Sequence, residues 1–349
     1  MKISVEPFGT LPDGGQVLIY GMENNNGMRV EILNYGGIFK NLFVPDRDGN
    51  TADIVLGYDK LEDYIKNDGM FGAIVGRNAN RIADGMIEIF GKSYLLEKND
   101  GNCNLHGGSQ GLAHRLFSSE VRTFNNLPAL LLSHTIEDMS DGFPGTLTVT
   151  IAYALTDDNA VMIDYRAAAD NDTIINLSNH SYFNLAGHGS GSVGGHTLDV
   201  GAAFYTPNTP EGYPYGEILS VENTPFDFRG GRRLDRDWEG DHPQTRMFGG
   251  YDHNLVLSGT DYRKVASVSE PSTGRMLELF TDLPGMQLYT ANSLPERTYK
   301  EESLYKKHAG FCLETQLFPN AAKIPWFPSP LFCAGEEYTA TTTYQFSTF

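Results

Sequence analysis

A glutamate interrupts the apolar run Gly310-Phe-Cys-Leu-Glu314-Thr-Gln-Leu-Phe-Pro319, where a strand would turn its side chains toward a core or a cleft. Burial there would raise the carboxyl pKa and suit it to proton transfer, although a carboxylate paired with a lysine or arginine would fit the same position. Of the nine histidines, His106 in Asn104-Leu105-His106-Gly107-Gly108 and His180 in Ser178-Asn179-His180-Ser181-Tyr182 sit in polar, turn-rich surroundings unlike core packing. Each reads either as a ring satisfied by backbone groups or as a proton carrier, and convergence with an acid would decide between them. Arg77-Asn-Ala-Asn80-Arg81 places guanidinium and amide groups where a strand gives way to a loop, a combination able to hydrogen-bond a polar ligand. Asp252 and Gln287 add polar side chains at strand margins. No HExxH or HxH pair supports a sequence-local metal site, and Gly72 to Gly76 lacks the Gly-Lys-Ser/Thr of a phosphate cradle, so a Walker-type loop is discarded.

The elements that must position these groups read as β-strands. Val17–Tyr20, Arg29–Leu33, Leu147–Tyr153, Ala160–Tyr165 and Arg275–Phe280 alternate or cluster apolar residues at strand length. Turn signals fall between such runs, at Asp48-Gly49-Asn50, Asp84-Gly85, Asp157-Asp158-Asn159 and Pro271-Ser-Thr-Gly274. With 38 glycines and 17 prolines, no long helical periodicity and no 20 to 50 residue repeat, the chain is expected to form an all-β, antiparallel sandwich with a concave face. No linker divides it, so residues 1–349 are expected to be one domain. The glycine-dense His188–Gly195 segment reads as a mobile loop.

At 349 residues and 40% hydrophobic composition the chain can bury a sizeable core, and no apolar stretch approaches the roughly 18 to 20 residues of a membrane span. The N-terminus carries no secretory pattern, and the chain is expected to be cytoplasmic. A net charge of −18 disfavours nucleic acid, and the basic patch Arg229-Gly-Gly-Arg232-Arg233 reads as a solvated loop because Asp235 and Asp237 follow it. Three widely spaced cysteines, Cys103, Cys312 and Cys333, suggest reduced thiols.

Five segments occur in order: Gly76-Arg-Asn-Ala-Asn-Arg-Ile82, Asn104-Leu-His-Gly-Gly108, Asn179-His-Ser-Tyr-Phe-Asn-Leu185, Tyr251-Asp-His-Asn254 and Leu313-Glu-Thr-Gln316. Together they resemble the aldose 1-epimerase, or galactose mutarotase, family, from about Phe8 to the closing strands near Phe346. The resemblance implies a mutarotase-like supersandwich binding a pyranose on its concave face, with no metal or organic cofactor. It implies Glu314 as general base and His180 as general acid. It puts Asn80, Arg81, His106, Asp252 and Gln287 around the sugar hydroxyls and ring oxygen, with His106 also able to assist the chemistry, and makes Arg77 the poorer sugar contact. One departure is Asp141-Gly-Phe143-Pro-Gly145, where the family commonly has tyrosine before the proline; it bears on local packing or loop polarity.

The activity so implied is interconversion of the α and β anomers of free aldohexoses such as galactose and glucose. A base takes the anomeric hydroxyl proton while an acid protonates the ring oxygen. Reference pKa values of about 4.3 and 6.5 would leave a window in which Glu314 is ionised and His180 protonated, with Glu314 forming the lower limb of a bell-shaped profile and His180 the upper. A non-catalytic sugar-binding sandwich, a hexose-6-phosphate 1-epimerase and a carbohydrate lyase or hydrolase are the rival readings. The expected partner is a monosaccharide, with neither nucleic acid nor membrane, and the expected state a monomer or weak homodimer.

Overall fold

The computed structural model describes residues 2–349. Three antiparallel sheets carry most of the chain. The N-terminal sheet is a meander of five strands in sequence order: Lys2–Thr10, Gln16–Glu23, Arg29–Leu33, Phe39–Pro45 and Thr51–Asp53. The large sheet has nine strands, and the C-terminal strand Glu337–Thr348 is inserted at its centre between Ala160–Ala169 and Arg275–Thr281. A third sheet is formed by five strands, ending with Asp252–Val256, Gly285–Tyr289 and Cys312–Gln316 side by side. The all-β antiparallel expectation is met.

Local sequence explains the pairing. Asp48-Gly49 turns Phe39–Pro45 into Thr51–Asp53, with Gly49 at φ +82. Asp157–Asn159 joins two long central strands, and Pro271–Gly274 closes another hairpin, where the Glu270 carboxylate accepts the backbone N–H groups of Ser272 and Thr273. Asp84-Gly85 differs: it forms a short 3-10 turn leading into the small hairpin Met86–Ile89/Lys92–Leu95.

One apolar cluster draws residues from all three sheets, including Ile32 and Phe39, Ile151 and Tyr153, and Met286, Leu288 and Leu313. Two hydroxyls fix the layers: Tyr153 donates to the Gly37 carbonyl at 2.6 Å, and Tyr344 to the Leu313 carbonyl at 3.2 Å. The strand carrying Glu314 is thus held from behind by the large sheet, and the Thr315 hydroxyl meets that of Thr342 on the same side.

The glycine-dense segment is corrected from a mobile loop to an anchored one. The His188 and Val193 N–H groups donate to the carbonyls of Asp53 and His308, Asn184 donates to the Gly191 carbonyl, and the His188 ring meets the Tyr305 hydroxyl at 2.7 Å. Its glycines serve close turns rather than freedom. The basic patch is neutralised as expected, by Arg229–Asp227, Arg232–Asp237 and Arg233–Asp235 pairs. All three cysteines are free; Cys103 and Cys312 are buried and Cys333 is exposed. No helix among the described residues is long and apolar enough to cross a membrane.

Candidate active site

Strand alternation builds the floor of the site. In Gly285–Tyr289, Met286 and Leu288 enter the core, so Gln287 and Tyr289 point the other way. In Cys312–Gln316, Leu313 and Thr315 face the large sheet, which turns Cys312, Glu314 and Gln316 to the opposite side. Cross-strand register sets Glu314 beside Gln287, and Tyr289 between Cys312 and Asp252.

Loops bring the remaining groups over this floor. His180 follows the short strand Ser178–Asn179, and its backbone is clamped by His180 N–H to Ala73 O at 2.8 Å and Gly72 N–H to His180 O at 3.0 Å. Asn80 and His106 both lie in the left-handed region, at φ +63 and +54, where the chain reverses around the paired segments Arg81–Ile82 and Asn104–Leu105. The two loops interlock: His106 N–H donates to the Asn80 carbonyl, and Asn80 N–H donates to His106 Nδ1 at 3.1 Å.

These elements enclose a cavity of about 290 Å³. Its lining mixes polar groups, Asn80, Arg81, His106, His180, Asp252 and Glu314, with apolar and aromatic ones that include Met70, Tyr182, Leu294, Pro295 and Tyr299. Such a mixed lining suits a pyranose, which presents hydroxyls around its edge and C–H groups on its faces. Six of the seven residues singled out from sequence therefore line one space. Gln287 does not: it is 1% exposed and lies behind Asp252, donating to Asp252 Oδ1 at 2.8 Å while accepting from Gln316. The expected sugar contact of Gln287 is therefore not visible in the cavity lining, and the contact its amide makes there is a brace on Asp252.

Arg77 points away from the cavity. Its guanidinium donates to Pro144 O and Thr173 Oγ1 and sits 5.7 Å from the Phe143 ring. Burial lowers its pKa to about 10. Phe143, at the sequence departure, is buried against this arginine and is not among the groups that line the cavity. Sequence reasoning did not single out Tyr182, Tyr289, Ser293, Leu294, Pro295, Tyr299 or Met70 as lining groups. Tyr182 stood inside a quoted segment; the 293–299 loop carried no motif to mark it.

Glu314 and His180 face each other with Oε1 3.7 Å from Nε2. Both are buried, and Glu314 Oε2 is a buried acceptor with no hydrogen-bond partner. Burial disfavours either charge: it pushes the Glu314 carboxyl well above its usual range, with the Asp252 charge adding to the rise, and lowers His180 to about 4. Burial also raises Asp252, while nearby Arg81 opposes. For Arg81, burial is outweighed by the Asp252 and Asp100 carboxylates, and its pKa rises; Nε donates to Asp100 at 2.7 Å.

His106, His180 and Glu314 each offer a ligating atom within 4.8 Å of the other two, a set that superficially suits a metal ion. Hydrogen bonding argues otherwise. Because His106 Nδ1 accepts the Asn80 N–H, the neutral ring carries its proton on Nε2 and offers a donor there, not a lone pair. Burial lowers the His106 pKa well below 6.5, keeping the ring neutral. The set fits a hydroxylated ligand better than a cation.

The aldose 1-epimerase family model matches residues 19–345. Over 343 residues the chain is 41% identical to galactose mutarotase from Bos taurus, covering 97% of both chains. It is 34% identical to aldose 1-epimerase from Haemophilus influenzae, over 96% of this chain and 97% of that protein. Among solved structures it matches galactose 1-epimerase from Lactobacillus acidophilus with a TM-score of 0.88 and 25% identity, covering 99% of each chain.

Proposed function

The chain belongs to the aldose 1-epimerase family, and we propose that Glu314 and His180 perform that family's anomer interconversion here. The protein is an isomerase that interconverts the α and β anomers of aldohexoses such as galactose and glucose. The observation supporting the residue roles is the facing of a buried carboxylate and a buried imidazole across a cavity of sugar dimensions.

In the forward step Glu314 takes the proton from O1, the O1 lone pair forms the C1 carbonyl, the C1–O5 bond breaks and O5 takes the proton of His180 Nε2. Rotation about C1–C2 exposes the other carbonyl face, and the reverse transfers close the ring. No covalent intermediate forms. A carboxylate whose pKa is raised is a stronger base, and an imidazolium whose pKa is lowered is a stronger acid, so burial strengthens both partners. Ring opening also converts a charged pair into a neutral one, which a dry site favours. His106 donates from Nε2 to a sugar oxygen, Arg81 donates, Asp252 accepts, Asn80 does either, and Gln287 acts through Asp252.

A sugar phosphate fits this pocket poorly: Arg81 is the one arginine or lysine in its lining among the described residues, and Asp100 already holds it. We further propose that residues 1–349 act as one domain, in the cytoplasm, as a monomer or weak homodimer. The apolar cluster running from Tyr20 to Phe346, the three free thiols and the self-repelling charge of −18 support this.

The test is polarimetry on freshly dissolved α-D-galactose and α-D-glucose with wild type and Glu314→Gln, the spontaneous rate subtracted. The variant is expected to lose about 10²- to 10⁴-fold in kcat with its fold retained. Wild-type activity in Glu314→Gln would remove Glu314 as the base.

A further inference from the structure

His180 is needed as a proton donor in ring opening and as an acceptor in closure, so each turnover takes its ring through both protonation states. Nε2 faces Glu314. The ring's other nitrogen, Nδ1, lies 3.5 Å from the Cys312 thiol sulfur, within hydrogen-bonding range for sulfur. Cys312 is fully buried and stands two residues before Glu314 on the same face of the same strand. One strand therefore addresses both nitrogens of one imidazole, through Cys312 on Nδ1 and Glu314 on Nε2. Tyr182 stacks on the ring face, with centroids 5.0 Å apart, and His106 meets its edge at 5.3 Å. Rotation and tilt of the ring are limited on those sides, which leaves the proton's location as the remaining freedom.

We propose that Cys312 is a positioning residue that fixes the tautomer of His180 through Nδ1 and follows it through both protonation states. When the ring is neutral, the thiol donates its S–H to Nδ1, so the ring proton must sit on Nε2, facing the reacting oxygens. When the ring is an imidazolium, Nδ1 also carries a proton, and the sulfur accepts it after the S–H rotates away. A thiol has both a donor and a lone pair, so this needs no movement of the backbone. A carboxylate at this position would favour the imidazolium and weaken the acid. An aliphatic side chain would leave Nδ1 unpaired in the neutral state and its N–H unpaired in the charged one. Burial pushes the Cys312 thiol well above its usual pKa, so the group is a thiol rather than a thiolate. His106 needs no such partner: its Nδ1 is held by a backbone N–H that can only donate, which suits a ring that stays neutral.

The inference rests on the acid role proposed for His180, and its test separates the two. Cys312→Ala and Cys312→Ser are compared with wild type and Glu314→Gln for kcat, KM and the pH profile. Ring-nitrogen NMR of ¹⁵N-histidine-labelled protein reads the His180 tautomer directly. Wild type is expected to hold the proton on Nε2. Cys312→Ala is expected to mix the two tautomers and to lower kcat roughly tenfold with little change in KM, about the effect of one hydrogen bond. Cys312→Ser, which keeps a donor and an acceptor, is expected to restore the tautomer and most of kcat. A wild-type ring proton found on Nδ1, or a Cys312→Ser variant as impaired as Cys312→Ala, would overturn the inference. Full activity and an unchanged tautomer in Cys312→Ala beside an inactive Glu314→Gln would overturn it while leaving the base assignment standing. Activity retained in His180→Gln, measured alongside, would remove the acid role on which the inference rests and overturn both.

Discussion

In the proposed ring opening, Glu314 and His180 start from opposite charges that their burial disfavours, and this sets the expected pH behaviour. Reference values place the carboxyl below the imidazole, but in the folded site Glu314 is raised and His180 falls to about 4. As pH rises, the pair loses its first proton near His180's value and its second at that of Glu314. Activity needs one proton on the pair: with two there is no base, with none no acid. The profile of kcat/KM is therefore expected to be bell-shaped with its limbs exchanged relative to the sequence expectation, the acid limb reporting His180 and the alkaline limb Glu314. An NMR titration of the free enzyme should find the His180 ring near pH 4, and a midpoint near 6.5 would restore the original order. The tautomer of His106 leads to a second expectation at this scale. Since its Nε2 carries a proton, chelator should leave the rate unchanged and micromolar Zn²⁺ should not inhibit competitively; competitive inhibition by Zn²⁺ in the polarimetric assay would show that the ring can turn its lone pair inward.

Adjacent strands translate the period of two into depth, one layer of side chains reaching the cavity and the next bracing it. Gln287 is the clearest instance: its amide holds Asp252 Oδ1 and is not among the groups that line the cavity. Replacing it by alanine should free Asp252 to swing, raising KM about tenfold, the size of one hydrogen bond to a charged group, while kcat changes less. Equal falls in kcat and kcat/KM would instead mark Gln287 as part of the transition-state contacts. The same strands show what sequence could and could not display. Glu314 was legible because a charge in an apolar run must be explained, and Asn80, Arg81, His106, His180 and Asp252 because polar groups clustered at strand ends. Gln287 looked equivalent to Asp252, since alternation gives a side chain's face but not its distance from the opening. The 293–299 wall was illegible because a loop's position depends on what it packs against, here Tyr58 and Asp68 through Arg297. The glycine-dense segment misled for a related reason: glycine reports backbone conformation, whereas the hydrogen bonds that pin 184–193 come from residues distant in sequence.

For the molecule as a whole, charge and buried histidines pull in separate directions. A surface of net charge −18 neither attracts nor repels an uncharged hexose, so kcat/KM should vary by less than about twofold between low and high salt. Stability too is expected to be acid-sensitive, and His196 and His253 provide the reason. Burial lowers them to about 4 and about 3, and each ring accepts a backbone N–H, from Leu185 and Asp252 respectively, which protonation would break. The unfolded chain protonates these rings near 6.5, so between that pH and their folded values it binds more protons than the native state. Stability contributed by the neutral rings is thus complete above about pH 6.5 and declines as pH falls toward 4. Glu314 acts oppositely: its raised value makes the native state bind the extra proton, and its contribution is lost as pH rises above about 4.5. His196→Gln isolates the histidine share, because Gln Oε1 can accept the Leu185 N–H in place of Nε2 and does not titrate. Denaturant unfolding between pH 4.5 and 6 should show wild-type stability falling more steeply with acid than the variant's, by about 1.4 kcal/mol per pH unit, the slope of one proton. Equal slopes in the two proteins would mean that His196 is not among the groups through which acid unfolds this fold.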